Sequence, residues 1–212
     1  MAADPSTAQA ESTLIFATRN EGKVREMAEL LVGSGWRAGR MPESVEEFEE
    51  TGETFAENAR GKALFASSQL TEPVLADDSG LEIDALDGEP GVRSARYIDE
   101  AFTPEERNAA VLERLRGVPA TRRTARFVCH LVLAHRGEVV HETVGTCEGV
   151  IADSPRGAAG FGYDPVFLVP ELDRTFAQIN RDEKSARSHR GAAARAMADF
   201  LRTWRITSRN CL

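Results

Sequence analysis

The feature that most narrows the folds open to this chain is a pair of long β-rich runs set almost back to back. Ala125 to Ala134 and Glu138 to Val144 meet around Arg136-Gly137, and Gly145 to Ile151 prolongs the second arm. Such runs around a Gly-containing step read as an antiparallel hairpin. Upstream the pattern is different. Thr13-Leu14-Ile15-Phe16-Ala17 is a short apolar run suited to a buried strand, Thr18 to Gly22 breaks it, and from Lys23 the apolar residues Val24, Met27, Ala28 and Leu31 recur at helical spacing. Thr54-Phe55-Ala56-Glu57 is a capping-box signature that opens a helix to about Gln69. Pro73 to Ala76 reads as another buried strand ending in Asp77-Asp78-Ser79-Gly80. Thr103-Pro104-Glu105-Glu106 starts a helix that runs to about Arg116.

Past the hairpin, the glycine-rich segment Arg156 to Gly162 precedes a short strand, Pro165 to Leu168, and a final helix covers about Ser188 to Trp204. Helices between strands early and a hairpin in the middle predict an α/β fold with a mixed sheet flanked by helices. Residues 1–12 are small and polar and are expected to form a disordered tail. The expected domain is 13–205, with a C-terminal tail at 206–212. The charged stretch Glu43 to Glu53 is too polar for a core element and is assigned to a loop or the lining of a cleft.

Composition limits the function. The 212 residues are 42% hydrophobic and 28% charged, enough for a sizeable core and against general disorder. A net charge of -8 argues against nucleic acid or an anionic membrane as the main partner, but leaves room for a small phosphorylated ligand in a local basic pocket. The three cysteines, Cys129, Cys147 and Cys211, form neither a disulfide framework nor a metal-binding pattern, which suits a reducing, cytoplasmic setting. The first residues lack a signal-peptide pattern, and no run reaches the ~20 apolar residues of a membrane span.

Five segments carry candidate chemistry. Thr18-Arg19-Asn20-Glu21-Gly22-Lys23 offers a hydroxyl, an amide and a cation at a helix start, the donors that phosphate needs. Read alone, it is an Asn N-cap beside an exposed lysine. Asp77-Asp78-Ser79-Gly80 at a strand end can hold Mg²⁺ and accept a proton from water, or can be an Asp-Ser-Gly turn. Gly157-Ala158-Ala159-Gly160-Phe161-Gly162-Tyr163-Asp164-Pro165 offers a ring, Phe161, on which a base can stack and a carboxylate acceptor, Asp164, or is a hairpin loop with an aromatic plug. Lys184, His189 and Arg190 lie before and at the start of the last helix, where basic residues are unfavourable unless an anion is present. One of Glu46, Glu47, Glu49 and Glu50 could add a carboxylate to a metal site opened by Asp78. Together these describe a site for a nucleoside triphosphate with Mg²⁺.

The order of these motifs is itself informative. Thr18 to Lys23, Glu50-Thr51-Gly52 through Glu57-Asn58-Ala59, Ala76 to Leu81, Pro90 to Tyr97, Gly160 to Pro165 and Glu183 to Gly191 closely resemble, from Leu14 to about Leu201, the inosine triphosphate pyrophosphatase family of Ham1-like proteins. The resemblance implies a two-lobed α/β fold on a long mixed central sheet, with the active-site cleft between the lobes. It also implies a cytoplasmic, homodimeric, Mg²⁺-dependent enzyme that hydrolyses ITP, dITP and XTP to the monophosphate and pyrophosphate. Carried over by motif, Thr18, Arg19, Asn20, Glu21, Gly22 and Lys23 should contact the triphosphate. Glu50 and Asp78 should serve the metal, with Asp78 also accepting the proton. Ser79, Phe161, Gly162, Tyr163, Asp164, Lys184, His189 and Arg190 should bind the nucleotide. Arg19 stands where the family often has glycine, and is expected to add charge near phosphate. A Maf-like pyrophosphatase of modified nucleotides and a nucleotide sensor without catalysis are the competing readings.

Overall fold

The computed structural model describes residues 12–206. Seven strands form one mixed sheet in the order β2-β1-β3-β4-β5-β6-β7. The strands are β1 (Ser12–Phe16), β2 (Trp36–Arg40), β3 (Val74–Ile83), β4 (Thr124–His135), β5 (Glu138–Ile151), β6 (Phe167–Val169) and β7 (Arg174–Thr175). The helices are α1 (Glu21–Leu30), α2 (Phe55–Ser67), α3 (Pro104–Arg114), α4 (Arg181–Arg187) and α5 (His189–Thr203). β1 pairs in parallel with β2 and β3, and every later pairing is antiparallel. The expected mixed α/β architecture is therefore present. Most residues of the two expected tails, 1–11 and 207–212, lie outside the described residues, while Ser12 already belongs to β1.

The hairpin is the spine of the sheet. β4 and β5 stay in register from Thr124↔Val150 to His135↔Glu138, with one irregularity at Leu133/Ala134. Arg136 and Gly137 turn the chain at φ 54° and 77°, the left-handed pair that a two-residue turn needs to match strand twist. Helix starts follow the sequence signals closely. Thr54 and Thr103 both close complete capping boxes, with Glu57 and Glu106 respectively.

Four elements depart from expectation. Asp77 and Asp78 do not end their strand, because β3 continues to Ile83 along β4. Its parallel neighbour β1 stops pairing at Phe16↔Leu75, so from Ala76 onward one edge of β3 is uncovered by β1. The acids thus sit at a gap in the sheet rather than in a turn. The final helix stands where expected, as α5, with Ser188 capping it by accepting from the Gly191 amide, but the short α4 that precedes it was not anticipated. β2 lacks strong alternation and was not anticipated, and the strand near 165–168 begins later, at Phe167. Glu43 to Glu53 contains no helix or strand, as its charge implies.

Buried residues gather in three clusters. Leu14, Phe16, Met27, Leu131 and Met197 pack α1 and α5 on one face near β1, while Ala59, Ala63, Val74 and Val132 pack α2 on the other. A third, with Leu81, Val111, Phe127, Phe167 and Phe176, fills the distal part of the sheet beside α3. α5 lies very close to β5. A Cβ at Gly145 would come within 2.1 Å of the His189 carbonyl, so that glycine lets the start of α5 sit on the sheet.

Candidate active site

The site is built around the gap in β3. Successive side chains of a strand point to opposite faces, so Asp77 and Asp78 are separated by the sheet although they are adjacent in sequence. Asp77 faces α1 and α5. Its Oδ2 accepts from Arg190 at 3.3 Å and lies 3.5 Å from the Lys23 ammonium, and the residue is 1% exposed. Asp78 faces α2. Its Oδ2 accepts from Asn58 Nδ2 at 3.0 Å, and its Oδ1 accepts from the Ser79 amide at 2.9 Å.

The two carboxylates are driven in opposite directions. Burial would raise the Asp77 carboxyl, but the charges of Lys23, Arg190 and Lys62 outweigh it and hold the group well below the usual carboxylate range. Burial also raises Asp78. The Asn58 hydrogen bond and Lys62 oppose that rise while Glu50 and Asp77 add to it, and the carboxyl is pushed up to about 6. One acid is a fixed counter-charge, and its neighbour is a base close to physiological pH.

Lys62 joins the two sides. It donates to the Asp77 carbonyl at 2.9 Å and forms an ion pair with Glu50. Glu50 lies within electrostatic reach of Asp78, as its effect on that carboxyl requires. Among the described residues no three of His, Cys, Asp and Glu form a metal-ligand group. Glu50 and Asp78 therefore offer two hard carboxylates gathered about a lysine ammonium. That donor set fits Mg²⁺, which takes one or two protein carboxylates and completes its shell with water and phosphate oxygens.

On the α1 and α5 side the β3 gap opens into a cleft of about 770 Å³, within the range of small-molecule sites. Lys23, Ser79, Phe161, Lys184, His189 and Arg190 are on its wall. The loop before α1 is preorganised: Thr18 Oγ1 accepts from the Asn20 amide at 3.2 Å, and Asn20 caps α1 by accepting from the Lys23 amide at 3.1 Å. Asn20, Gly22 and Lys23 reach the cleft. Phe161 is 59% exposed, with the Lys184 ammonium 4.5 Å from its ring centre and the Arg190 guanidinium carbon at 5.9 Å. Asp164 organises this loop by accepting from the Phe161 amide at 2.7 Å and pairing with Lys184. Tyr163 is buried and donates to the Ser94 carbonyl at 2.8 Å, while Asn108 donates to the Gly162 carbonyl at 3.0 Å.

The basic start of α5 has a different explanation from the expected one. The anion that Arg190 meets is supplied by the protein, since its guanidinium donates to Asp77, to Glu26 at 3.0 Å and to Ser79 Oγ at 3.1 Å. Its Nε has no partner among the described residues. Burial and the charges of Arg190 and Lys184 push the His189 imidazole well below its ordinary range, so the ring is neutral at pH 7. It stacks on Phe127 with centres 4.8 Å apart, and its Nδ1 is unpartnered among the described residues.

Three expected phosphate contacts are placed elsewhere. Arg19 pairs with Glu47 at 3.0 Å and donates to the Val45 carbonyl at 3.1 Å, tying down the acidic loop. Its φ is not positive, so it replaces glycine without left-handed strain. Glu21 pairs with Arg40 at 3.0 Å on the surface. Arg19 and Thr18 line a smaller hollow of about 160 Å³ beside Phe48 and Lys62. Sequence reasoning missed Asn58, Lys62 and Glu26. Asn58 and Lys62 share one face of α2 at i and i+4, and Glu26 follows Lys23 at i+3, so helical spacing from a suspected residue was the available signal.

This geometry has counterparts in known proteins. The profile of the Ham1 family matches residues 14–200. A protein of Desulforamulus reducens named dITP/XTP pyrophosphatase is 47% identical over 191 residues, covering 89% of this chain and 94% of that one. One of the same name from Gloeobacter violaceus is 50% identical over 184 residues, covering 87% and 91%. Among solved structures, a HAM1 protein from Coxiella burnetii superposes with a TM-score of 0.84 at 42% identity, covering 90% of this chain and 98% of the other. The Staphylococcus aureus Ham1 protein gives 0.82 at 38% identity, with the same coverage.

Proposed function

The chain belongs to the Ham1 family, and from that premise we propose that it is a nucleoside triphosphate pyrophosphatase acting on non-canonical purine nucleotides, with ITP, dITP and XTP as substrates. The observation that carries the mechanism is the division of the β3 acids: Asp77 is locked to cations, while Asp78 remains a base beside the gap. Asp78 takes a proton from a water that attacks the α-phosphorus. The bond from that phosphorus to the oxygen bridging to the β-phosphate breaks, and pyrophosphate leaves with the electron pair. Lys23, together with the donors at the start of α1, holds the triphosphate in line and offsets its charge. Glu50 and Asp78 would hold Mg²⁺, which would supply further charge neutralisation on the triphosphate.

Phe161 offers its open face to the base, and the start of α5 closes the end of the cleft. Hypoxanthine and xanthine present a 6-oxo acceptor that a donor of His189, Arg190 or neighbouring backbone would satisfy. Adenine places its 6-amino donor there, leaving buried donors opposed and unpaired. A homodimer in the cytoplasm is part of this proposal, and light scattering of the purified protein measures the assembly. Among the described residues no helix is long and apolar enough to cross a membrane.

Incubation with ITP and Mg²⁺ should yield IMP and pyrophosphate, with ATP turned over at least about 100-fold less efficiently. IDP with orthophosphate, or equal rates on ATP and ITP, would refute the proposal.

A further inference from the structure

The acids and cations of the site have roles in the scheme above, but Asn58 does not, and its position is unusual. It sits in the first turn of α2 and is 1% exposed. Asparagine is a weak residue inside a helix, and it earns its place near helix starts chiefly by capping. Here the cap is already complete. Thr54 accepts from the Glu57 amide at 3.1 Å, and Glu57 accepts from the amides of Glu53 at 2.8 Å and Thr54 at 3.2 Å. The Asn58 amide is free to act elsewhere.

Both ends of that amide are used, in opposite directions. Oδ1 accepts from the Gly52 amide at 2.8 Å, and Nδ2 donates to Asp78 Oδ2 at 3.0 Å, with a longer donation to the Gly52 carbonyl at 3.5 Å. Reversing the amide would set an oxygen against the carboxylate, so the network determines its orientation. Gly52 is shaped to this contact, because a Cβ there would lie 2.7 Å from Asn58 Oδ1 and 2.8 Å from the Glu57 Cβ. Two residues before Gly52 is Glu50, whose own carbonyl accepts from Arg96 at 3.3 Å. The loop otherwise contains no helix or strand to hold it.

We propose that Asn58 is a positioning residue for hydrolysis, a clamp that ties the Glu50-Thr51-Gly52 loop to the Asp78 carboxylate and sets the separation of the two acids. The role rests on the proposed pyrophosphatase reading. It accounts for two motifs at once: Gly52 is small so that the amide can approach, and Asn58 lies one helical turn before Lys62, the cation shared by Glu50 and the Asp77 carbonyl. Displacing a carboxylate by about 1 Å can cost about 100-fold in turnover, which is the scale expected here.

The test uses Asn58→Asp, Asn58→Ala, Gly52→Ala and the double variant Gly52→Ala/Asn58→Ala, measured well below their melting temperatures. Asn58→Asp retains the acceptor for Gly52 and loses the donor to Asp78. Its kcat for ITP should fall about 100-fold with KM changed by no more than about twofold, and exchange of the Gly52 amide with deuterated solvent should stay slow without Mg²⁺. Asn58→Ala should lose turnover similarly and also expose that amide. Gly52→Ala pushes the side-chain amide away from the loop side, so it gives the same kcat loss even if an Asn58 variant does not fold. The double variant should be no worse than the poorer single variant, within about twofold. A purely structural Asn58 would lower the melting temperature but leave kcat per folded molecule within about twofold, or give losses that multiply in the double variant, and either result overturns the clamp. If the wild type releases no pyrophosphate from ITP, the functional reading fails first. Gly52 exchange in wild type and Asn58→Ala then shows separately whether the loop is held.

Discussion

The two faces of β3 put the same chemical group to opposite uses. On the α1 and α5 face, Asp77 is enclosed by Lys23 and Arg190 and stays ionised. On the α2 face, Asp78 is buried and lies near another carboxylate, Glu50, and the donated hydrogen bond from Asn58 offsets this only in part, so it resists ionisation. The difference comes from what each helix brings to the strand. α1 and α5 bring cations, while α2 brings Asn58 and a lysine already paired with Glu50. A single Asp-Asp step can therefore provide structural charge and proton-accepting chemistry, because the pleat sends adjacent side chains into different dielectric and charge environments.

Substitutions on the two faces should separate these uses. The largest effect is expected for Asp78→Asn, where kcat should drop about 10²- to 10⁴-fold, the usual weight of a general base, while nucleotide binding persists in calorimetry. Full activity would show that the α2 face holds no base. Next is Asp77→Asn, which removes the buried carboxylate that Arg190 and Lys23 share and leaves Arg190 with Glu26 alone. Breaking one partner of a buried pair costs about 3–5 kcal/mol, so the melting temperature should fall by roughly 10 °C.

Asp78→Asn should move the melting temperature the other way. With its carboxyl raised from 3.8 to about 6, ionised Asp78 costs the fold about 3 kcal/mol near pH 7, and the amide removes that cost. Melting temperatures that fall equally in both variants would erase the contrast. A smaller effect is expected at the cleft wall: Phe161→Ala should raise KM for ITP about 10-fold with little change in kcat, since a stacked base is worth about 1–3 kcal/mol. A loss confined to kcat would place Phe161 with the α2 chemistry instead.

The smallest effect is pH-dependent. Arg60 of α2 makes a bidentate pair with Glu142 of β5, which also meets His130 of β4 at 3.0 Å. The Arg60 hydrogen bond lowers the Glu142 carboxyl below its ordinary 4.5, against burial and with help from His130. A depressed carboxylate stabilises the fold above its unfolded pKa and loses that contribution as pH falls through its folded one. Glu142→Gln should thus reduce stability by under about 1 kcal/mol at pH 7 and by progressively less below pH 4.5, measured by urea unfolding. An effect that grows in acid would reverse the assignment.

Much of the fold and several site residues were legible in the chain. The hairpin, the strand–loop–helix unit at Thr13 to Leu31 and the two Thr-led helix starts follow from local periodicity and capping, which depend on neighbours only a few positions away. Phe161, Lys184, His189 and Arg190 were singled out by residue type, and all four line one cleft. Arg19 and Glu21 were not separable from Asn20 and Lys23 by sequence, because successive residues entering a helix fan out around its axis. Asn58, although part of a quoted motif, and Lys62 were given no role because nothing local distinguishes an inward-facing side chain from an ordinary helix residue.

Asp77-Asp78-Ser79-Gly80 marks the boundary between the two kinds of information. Acid pair, hydroxyl and glycine were written in the sequence, and so was their capacity for metal or proton chemistry. Whether they formed a turn or the middle of a strand was decided by β4, whose residues lie far along the chain and pair with β3 through to Ile83. Which acid would be silenced and which would stay basic was decided by helices from three other places in the chain. Electrostatic environment is a property of neighbours in space, and the order of residues specifies such neighbours only once the sheet has closed.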